Sequence, residues 1–463
     1  MKLRVYLLSA LTLLGCPVSA GAQESAASTS TVSGVPWVSN RALGEGAGIR
    51  TGSVEWHPGV SAQFGFDSNY LQRAASAVDE SFVGPVIPSL RIRVTPQISV
   101  RSLDRSAESG KDVRTIPKPV VMFDVTGAAS YNEFIALRSG YGSQFSDLRN
   151  LEGGVAAGLQ ILPARPWSGK VNGAYSYIAE PSNAGGRTSE FDRHSINGGA
   201  GLVWAPGGGM FRWTLADYAA RVTLFNRSQF GVYDNTNHRI RSHGMWRFLP
   251  KTAVLFDGQY EIVRYTDDRR NDGEAMQTRL GLNGLVTRKL AILAMGGWAN
   301  SFYQNQIGLV RNYNGLVAKA EVKWFFTPDG KLKEGDADVG ASALAAGFLR
   351  DYNHSFLGDF YRRNRGYAQM SYLIGGSIVT TAEAGLSLIE YPDHLVEDTA
   401  QAGFSETRVD VQGLVEYRPA PSLGINLTLR YDQNLSQTVT APTFQDDLSF
   451  NRFRGLLGVR WFL

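Results

Sequence analysis

Phe450-Asn451-Arg452-Phe453-Arg454-Gly455-Leu456-Leu457-Gly458-Val459-Arg460-Trp461-Phe462-Leu463 is the stretch that decides the fold. Phe453, Leu457, Val459, Trp461 and Leu463 fall on alternate positions, and Arg452, Arg454 and Arg460 fall between them. Side chains of an extended chain point to two faces in turn, so one face is apolar and the other carries cations. A helical span needs an apolar run of about 18 residues or more, which neither this stretch nor the chain after residue 22 contains.

The same alternation recurs along the chain. Leu90, Ile92, Val94, Ile98 and Val100 alternate with Arg91, Arg93, Thr95, Gln97 and Arg101. Leu316, Ala318, Ala320, Val322, Trp324 and Phe326 alternate with Lys319, Glu321 and Lys323. Val409, Val411, Val415 and Tyr417 alternate with Arg408, Asp410, Gln412 and Glu416, and Ile425, Leu427, Leu429 and Tyr431 with Asn426, Thr428, Arg430 and Asp432. A soluble sandwich would also alternate, with its polar face in bulk water. Two features favour a membrane barrel instead. The apolar faces end in Trp, Tyr or Phe, as an interfacial girdle requires. Short Pro/Gly connections, such as 162–166, 205–209, 248–251, 287–289, 327–330, 375–376 and 418–421, alternate with longer polar ones, such as 180–192, 226–237, 267–274, 392–404 and 434–448. The expectation is an all-β, transmembrane, antiparallel up-and-down β-barrel of about 18 strands, short turns on the periplasmic side. The segment Val339 to Leu349 gives the weakest strand pattern.

The N-terminus supplies a third argument. Lys2 and Arg4 precede the apolar run Val5 to Leu14, Pro17 breaks it, and Ala20-Gly21-Ala22 presents small residues to a signal peptidase. Residues 1–22 are read as a signal peptide cut before Gln23. Leu13-Leu14-Gly15-Cys16 offers a rival lipoprotein-type cut, against which Leu14 and Pro17 argue. Residues 23–51, rich in Ser, Ala, Thr and Gly, read as a flexible periplasmic leader, and residues 52–463 as a single barrel domain in the bacterial outer membrane. Cys16 is the only cysteine, so the mature chain has no disulfide, thiol nucleophile or cysteine metal site.

Composition agrees with a barrel. The chain has 51 glycines in 463 residues and 11% aromatics, with a mean hydropathy of only −0.17. Half of a barrel's strand residues face lipid while the rest line a wet interior, so the average stays near neutral. A net charge of +4 without clustered basic runs gives no footprint for nucleic acid.

The polar faces nominate the lumen: Arg91, Arg93, Arg101, Arg239, Arg241, Arg247, Arg279, Lys319, Glu321, Lys323, Arg408, Asp410, Glu416, Arg430, Asp432, Arg452, Arg454 and Arg460, with Asp124, Asp257 and Glu261 interleaved. Charged rings set pore selectivity, whereas cross-strand ion pairs merely stiffen a wall, and both readings stay open. Lipid-facing or girdle candidates are Trp324, Phe326, Tyr431, Phe453, Trp461 and Leu463. For catalysis, Asp192 and His194 share a strand face and His394 follows Asp393, yet neither pair has a nucleophile motif, and Gly-x-Ser-x-Gly and His-Glu-x-x-His are absent. His238 and His243 are an odd distance apart and point to opposite faces, so they form no metal pair. No catalytic residue, metal or cofactor is assigned.

Ala62-Gln63-Phe64-Gly65-Phe66-Asp67-Ser68-Asn69-Tyr70, followed by the Arg-rich strand from Pro88, resembles the β-barrel porin 2 type of outer-membrane protein. Some barrels of that kind are similar to the 18-stranded outer-membrane parts of exopolysaccharide secretion systems. The resemblance therefore implies a conduit exporting a polysaccharide, with a periplasmic export protein as partner besides membrane lipid and the barrel-assembly machinery. The chain departs from it in ending on Leu463 and in lacking a helical-repeat domain. A diffusion porin for small, including anionic, solutes is the alternative, and an adhesion barrel with a closed lumen is the second.

Overall fold

The computed structural model describes residues 48–463 apart from 75–84, 104–118, 164, 180–191, 208, 227, 305–311, 327–341, 356–358, 375–376, 397–398, 402, 437–438, 441–444 and 447. The signal peptide and most of the leader therefore lie outside the described residues. So do the turn expected at 327–330 and parts of several others. Eighteen long strands run antiparallel: β1 Val54–Asp67, β2 Ser89–Ser102, β3 Val121–Ala136, β4 Asn150–Ile161, β5 Trp167–Ile178 and β6 Arg193–Trp204. They continue as β7 Phe211–Phe225, β8 Asn235–Leu249, β9 Thr252–Tyr265, β10 Asp272–Thr287, β11 Leu290–Gln304 and β12 Asn314–Phe325. The last six are β13 Ala343–His354, β14 Phe360–Ile374, β15 Ile378–Glu390, β16 Ser405–Ala420, β17 Leu423–Ser436 and β18 Phe450–Phe462. A short strand, Ile49–Thr51, pairs onto β1 just ahead of it.

Each strand pairs with its sequence neighbours, and β1 pairs with β18 from Gly59↔Phe462 to Asp67↔Arg454. The sheet is thus a closed barrel. Closure is what a membrane demands, because an unpaired backbone amide facing lipid costs several kcal/mol. Strands of 12 to 16 residues exceed the roughly 9–11 that a tilted strand needs to cross the hydrocarbon. The connections depart from the expected alternation. Leu103–Val120 and Phe326–Ser342, at the end where the first strand starts and the last one finishes (the near end), are long, while Thr266–Asn271 and Ser355–Asp359 at the far end are short. The strand expected from Val339 starts at Ala343.

Alternation assigns the faces. Ile92, Val94, Ile98, Leu316, Val322, Trp324, Val411, Val415, Leu427, Leu457, Val459 and Trp461 are all exposed, whereas their neighbours Arg91, Arg408, Asp410, Glu416, Asn426 and Arg452 are buried. This is the reverse of a soluble protein: large apolar side chains cover the outside and charges fill the inside. β7 shows what keeps the outer face continuous. Trp213 and Tyr218 are an odd number apart and should point oppositely, yet the pairings of β7 shift register between Thr214 and Asp217. That bulge re-phases the strand, so both rings reach the outer surface. Gly244 then lets the Trp213 ring lie across β8, where a Cβ would stand 2.5 Å from it, and stack on Phe256 of β9 with centroids 5.3 Å apart.

Among the described residues the buried apolar side chains form no single central core. Buried apolar clusters instead sit at the far end, where connections pack against strand ends. Tyr70, Leu71 and Ile87 meet Phe134, Phe145 and Leu148, the last two in and beside a short helix, α1 Gly142–Ser146. Tyr303, Tyr313, Tyr352 and Phe360 form a second cluster, and Tyr361, Ile389, Tyr391, Phe404 and Leu448 a third.

Candidate pore wall

The charges of the inner face are organised by cross-strand geometry, not scattered. Arg365 of β14 grips Asp410 of β16 with both Nη atoms, one of them at 2.8 Å, and reaches Glu383 of β15 at 2.9 Å. Arg363 holds Asp351 of β13 bidentately at 3.0 and 2.6 Å. Arg408 holds Glu406 at 3.1 and 2.8 Å, and Arg430 holds Asp432 at 2.7 to 3.0 Å. Asp257 of β9 takes Arg241 at 2.5 Å from one side and Arg279 at 3.0 Å from the other. Arg452 of β18 closes on Asp67 of β1 at 3.0 and 3.1 Å, clasping the seam where the barrel shuts, and Glu416 receives Arg418 and Arg460. Charge-assisted bidentate pairs of this kind are the strong hydrogen bonds of proteins.

Four of the contacts reach over an intervening strand at a glycine, one of them from Arg460 past Gly424 to Glu416, while Arg93 makes its longer approach to Glu152 past Ser130 of β3. Arg365 passes over Gly385 to Asp410, Lys170 passes over Gly201 to Asp217 at 2.9 Å, and Tyr367 passes over Gly347 to donate to Glu321 at 2.7 Å. A Cβ at Gly385, Gly201 or Gly347 would lie 2.4, 2.2 or 2.4 Å from the crossing side chain. The missing side chain is therefore the condition for the contact, because two strands separate the partners by about 10 Å.

The wall is uneven around its circumference. The middle of β4, β5 and β6 presents Gly154, Ala156, Gly158, Ala174, Gly199 and Gly201 to the interior, among the short polar side chains of Ser168, Asn172, Ser176, Ser195 and Asn197. Halfway round, nine strands on from β5 in a barrel of eighteen (14 − 5 = 9), β14 carries the Arg363 and Arg365 network. Open space in the lumen thus lies against the small-residue arc.

Every lumen candidate stands on the face opposite the exposed apolar one: Arg91, Arg93, Arg101, Arg239, Arg241, Arg247, Arg279, Lys319, Glu321, Lys323, Arg408, Asp410, Glu416, Arg430, Asp432, Arg452, Arg454 and Arg460. They differ in company. Arg93 approaches Glu152 at 3.5 Å, Arg101 meets Glu55 at 2.7 Å, and Lys323 meets Glu321 at 3.3 Å. Arg91 is held only by the neutral Asn132, at 3.1 and 2.6 Å. Arg454 and Lys319 have no ion-pair partner among the described residues, and Arg454 sits directly opposite Arg430 in the ladder and two residues from Arg452. Like charges placed opposite each other repel. Arg430 and Arg452 are each matched by an aspartate, so Arg454 is the surplus cation of this arc. The sequence did not single out Arg363, Arg365, Glu383 or Glu406, although each follows the same alternation.

On the outer face, Trp324 and Phe326 pack together at 5.4 Å, Phe326 also touches Tyr372, and Phe453, Trp461 and Leu463 are exposed with Tyr431 on the same face. Among the described residues no three His, Cys, Asp or Glu side chains gather as metal ligands, and no helix is long and apolar enough to cross a membrane. His238 faces outward against Tyr218 at 2.7 Å, while His243 faces inward on the row of Asp257.

No protein-family model matches the chain, and no curated protein is similar to it in sequence. Among solved structures, Pseudomonas aeruginosa OpdQ is similar over 89% of this chain and 99% of its own, at 11% identity and a TM-score of 0.44. P. aeruginosa OpdK with vanillate is similar over 88% and 98%, at 10% identity and 0.43, and a BenF-like porin from Pseudomonas fluorescens Pf-5 over 89% and 99%, at 9% and 0.45. Likenesses this distant carry no functional argument. The chain's own geometry carries the class: a closed ladder, apolar and girdled outside, charged within, is an outer-membrane β-barrel. The export-system resemblance seen in Asp67-Ser68-Asn69-Tyr70 finds no counterpart among these structures. In this fold those residues do local work instead: Asp67 clasps Arg452, Asn69 donates to the carbonyls of Arg73 and Asn451 at 2.8 and 3.0 Å, and Tyr70 packs on Phe134 at 4.1 Å.

Proposed function

We propose that the chain is a diffusion pore for small solutes with a preference for anions. The observation that carries this reading is Arg454, an inward cation beside Arg430 and Arg452 and without a carboxylate of its own. Of the lumen candidates that make no ion pair among the described residues, the cations Arg91, Arg239, Arg247, Lys319 and Arg454 outnumber the carboxylates Asp124 and Glu261, so the field in the lumen leans positive. A barrel of this strand number is too wide for its side chains alone to fill.

Polysaccharide export fits the wall less well. A sugar polymer is guided by aromatic faces, and at mid-barrel Tyr367 is tied to Glu321 through its hydroxyl. Most other inward rings gather in the far-end clusters, packed on one another, and Phe325 and Phe462 are buried at the near end.

Planar-bilayer recording under a salt gradient tests the proposal. The reversal potential is expected to show anion preference, and Arg454→Glu, which moves the wall by two charges, is expected to abolish it. Cation selectivity in the unmodified protein, or the absence of any conductance, would overturn the reading.

A further inference from the structure

The far half of the outer surface carries a polar chain that a lipid-facing wall does not need. Tyr175 and Tyr177 of β5, His194 of β6, Asn226 just after β7, and Asp192 just before β6 meet there. The Tyr175 hydroxyl lies 2.9 Å from His194 Nδ1, and His194 Nε2 lies 3.3 Å from Asn226 Oδ1. Asn226 Nδ2 donates to the Tyr177 hydroxyl at 3.4 Å, and that hydroxyl donates to Asp192 Oδ2 at 3.1 Å. Asn226 Oδ1 can only accept, so the histidine proton sits on Nε2 and Nδ1 accepts from Tyr175. Every bond therefore points the same way, from Tyr175 through His194, Asn226 and Tyr177 to the carboxylate. Aligned donors polarise one another, which enriches the oxygen of Tyr175 as an acceptor, and the far terminus is itself an acceptor. A ligand at either end of this chain has to bring donors.

Beside it opens a cleft of about 850 Å³, bordered by Tyr175, Tyr177, Asp192, His194 and Asn226 and by Asn150 and Glu152 at the start of β4. The ladder between β4 and β5 begins only at Gly153↔Tyr177, so the first residues of β4 extend past its last partner and leave room. At the level of the cleft the same face carries Val155 and Ile196, each opposite Tyr175, and Leu224, opposite His194, and toward the near end it continues as Leu159, Val171 and Leu202, all exposed. Tyr218 and His238, two strands further on, make a 2.7 Å pair of the same type and do not line this cleft. They show what ordinary interfacial pairing looks like on this barrel.

We infer that this cleft holds the saccharide headgroup of a glycolipid in the leaflet at the barrel's far end. Hydroxyl donors meet Tyr175, sugar faces meet the tyrosine rings, and acyl chains run down Leu159, Val171 and Leu202. A phosphate head, which brings acceptors, is the poorer fit, since the Tyr175 oxygen, its proton given to His194, offers it no donor.

Native mass spectrometry of the full-length detergent-purified barrel, titrated with rough lipopolysaccharide, its deacylated oligosaccharide or phosphatidylglycerol, tests this. Rough lipopolysaccharide is expected to be retained and to be displaced by neither of the others. Tyr175→Phe with Asn226→Ala, and separately His194→Gln, should weaken retention about tenfold, with Tyr218→Phe unchanged. The heat-dependent mobility shift in SDS verifies that each variant is folded. Unaltered retention in both folded chain variants, or equal competition by phosphatidylglycerol or by the free oligosaccharide, would overturn the assignment.

Discussion

The arc of β12 to β16 and the arc of β4 to β6 belong to one ladder and obey one alternation, yet they solve different problems. In the first, inward Arg363 and Arg365 bind Asp351, Glu383 and Asp410 across strands, and Arg408 binds Glu406 within its own. In the second, the middle inward positions are Gly, Ala, Ser and Asn, and Lys170 with Asp217 is the nearest comparable link. A charge buried in a barrel wall must be matched, because an unmatched one costs several kcal/mol, so the charged arc is stiff. A wall of small side chains has nothing to match and leaves space. One side of the barrel is thus built for strength and the other for passage.

The sharpest way to break the comparison is Gly385→Val. The new side chain would occupy the path of Arg365, which is 3% exposed, to Asp410, and would leave both charges buried without each other. Separating a buried pair costs about 3–5 kcal/mol. Urea unfolding in lipid, followed by tryptophan fluorescence, should show a loss of that size. Restoring a neutral match with Arg365→Met, Glu383→Gln and Asp410→Leu in the same chain should recover much of it. On the opposite arc, Ala156→Trp should do the reverse: it should leave unfolding within about 1 kcal/mol of the parent, because the ring projects into open lumen, while single-channel conductance falls by more than half. A conductance unchanged by Ala156→Trp would mean that the passage does not follow the small-residue arc.

These contrasts also mark what could be read from residues alone. Face assignment needs only parity, and parity is written in the sequence. Arg452, Arg454 and Arg460 against Phe453, Leu457 and Trp461 could be sorted without coordinates. Parity fails wherever a strand gains a residue, which is why Trp213 and Tyr218 lie on one face only through the bulge in β7. Partnership needs register, and register depends on where each hairpin turns. Nothing local tells that Gly385 falls between Arg365 and Asp410, or Gly201 between Lys170 and Asp217. The same limit applied to Asp192 and His194. Their shared face was legible, but Tyr177 and Asn226, which join them, come from the neighbouring strands.

The two membrane interfaces offer a second, finer version of the contrast. Near-end rings pack on other rings: Trp167 on Trp204 at 5.9 Å, Trp213 on Phe256, Trp324 on Phe326, with Trp213 also donating to Ser242 at 2.9 Å. Far-half rings are instead bonded to polar partners: Tyr131 to Glu133, Tyr218 to His238, Tyr260 to Glu274, Trp298 to Asn314 at 2.6 Å. Stacked rings suit a boundary of uniform head groups, whereas polar-tipped rings suit one rich in hydrogen-bonding groups.

Lys170→Met probes the smallest of these differences. Lys170 is the cation of the small-residue arc that crosses a strand, over Gly201, to Asp217. If that arc owes its stability to the ladder and not to ion pairs, removing the ammonium should cost about 1 kcal/mol or less, since Asp217 keeps partial access to lumen water. Asp217 also lies opposite Arg241 in the next ladder, so its charge retains a cation nearby. Conductance should hardly change, and anion preference should fall slightly with the loss of one positive charge. Unfolding in urea at low and high salt reads the term directly. A loss as large as that of Gly385→Val would show the two arcs to be held by the same kind of bond, and the division between a strong side and an open side would fail.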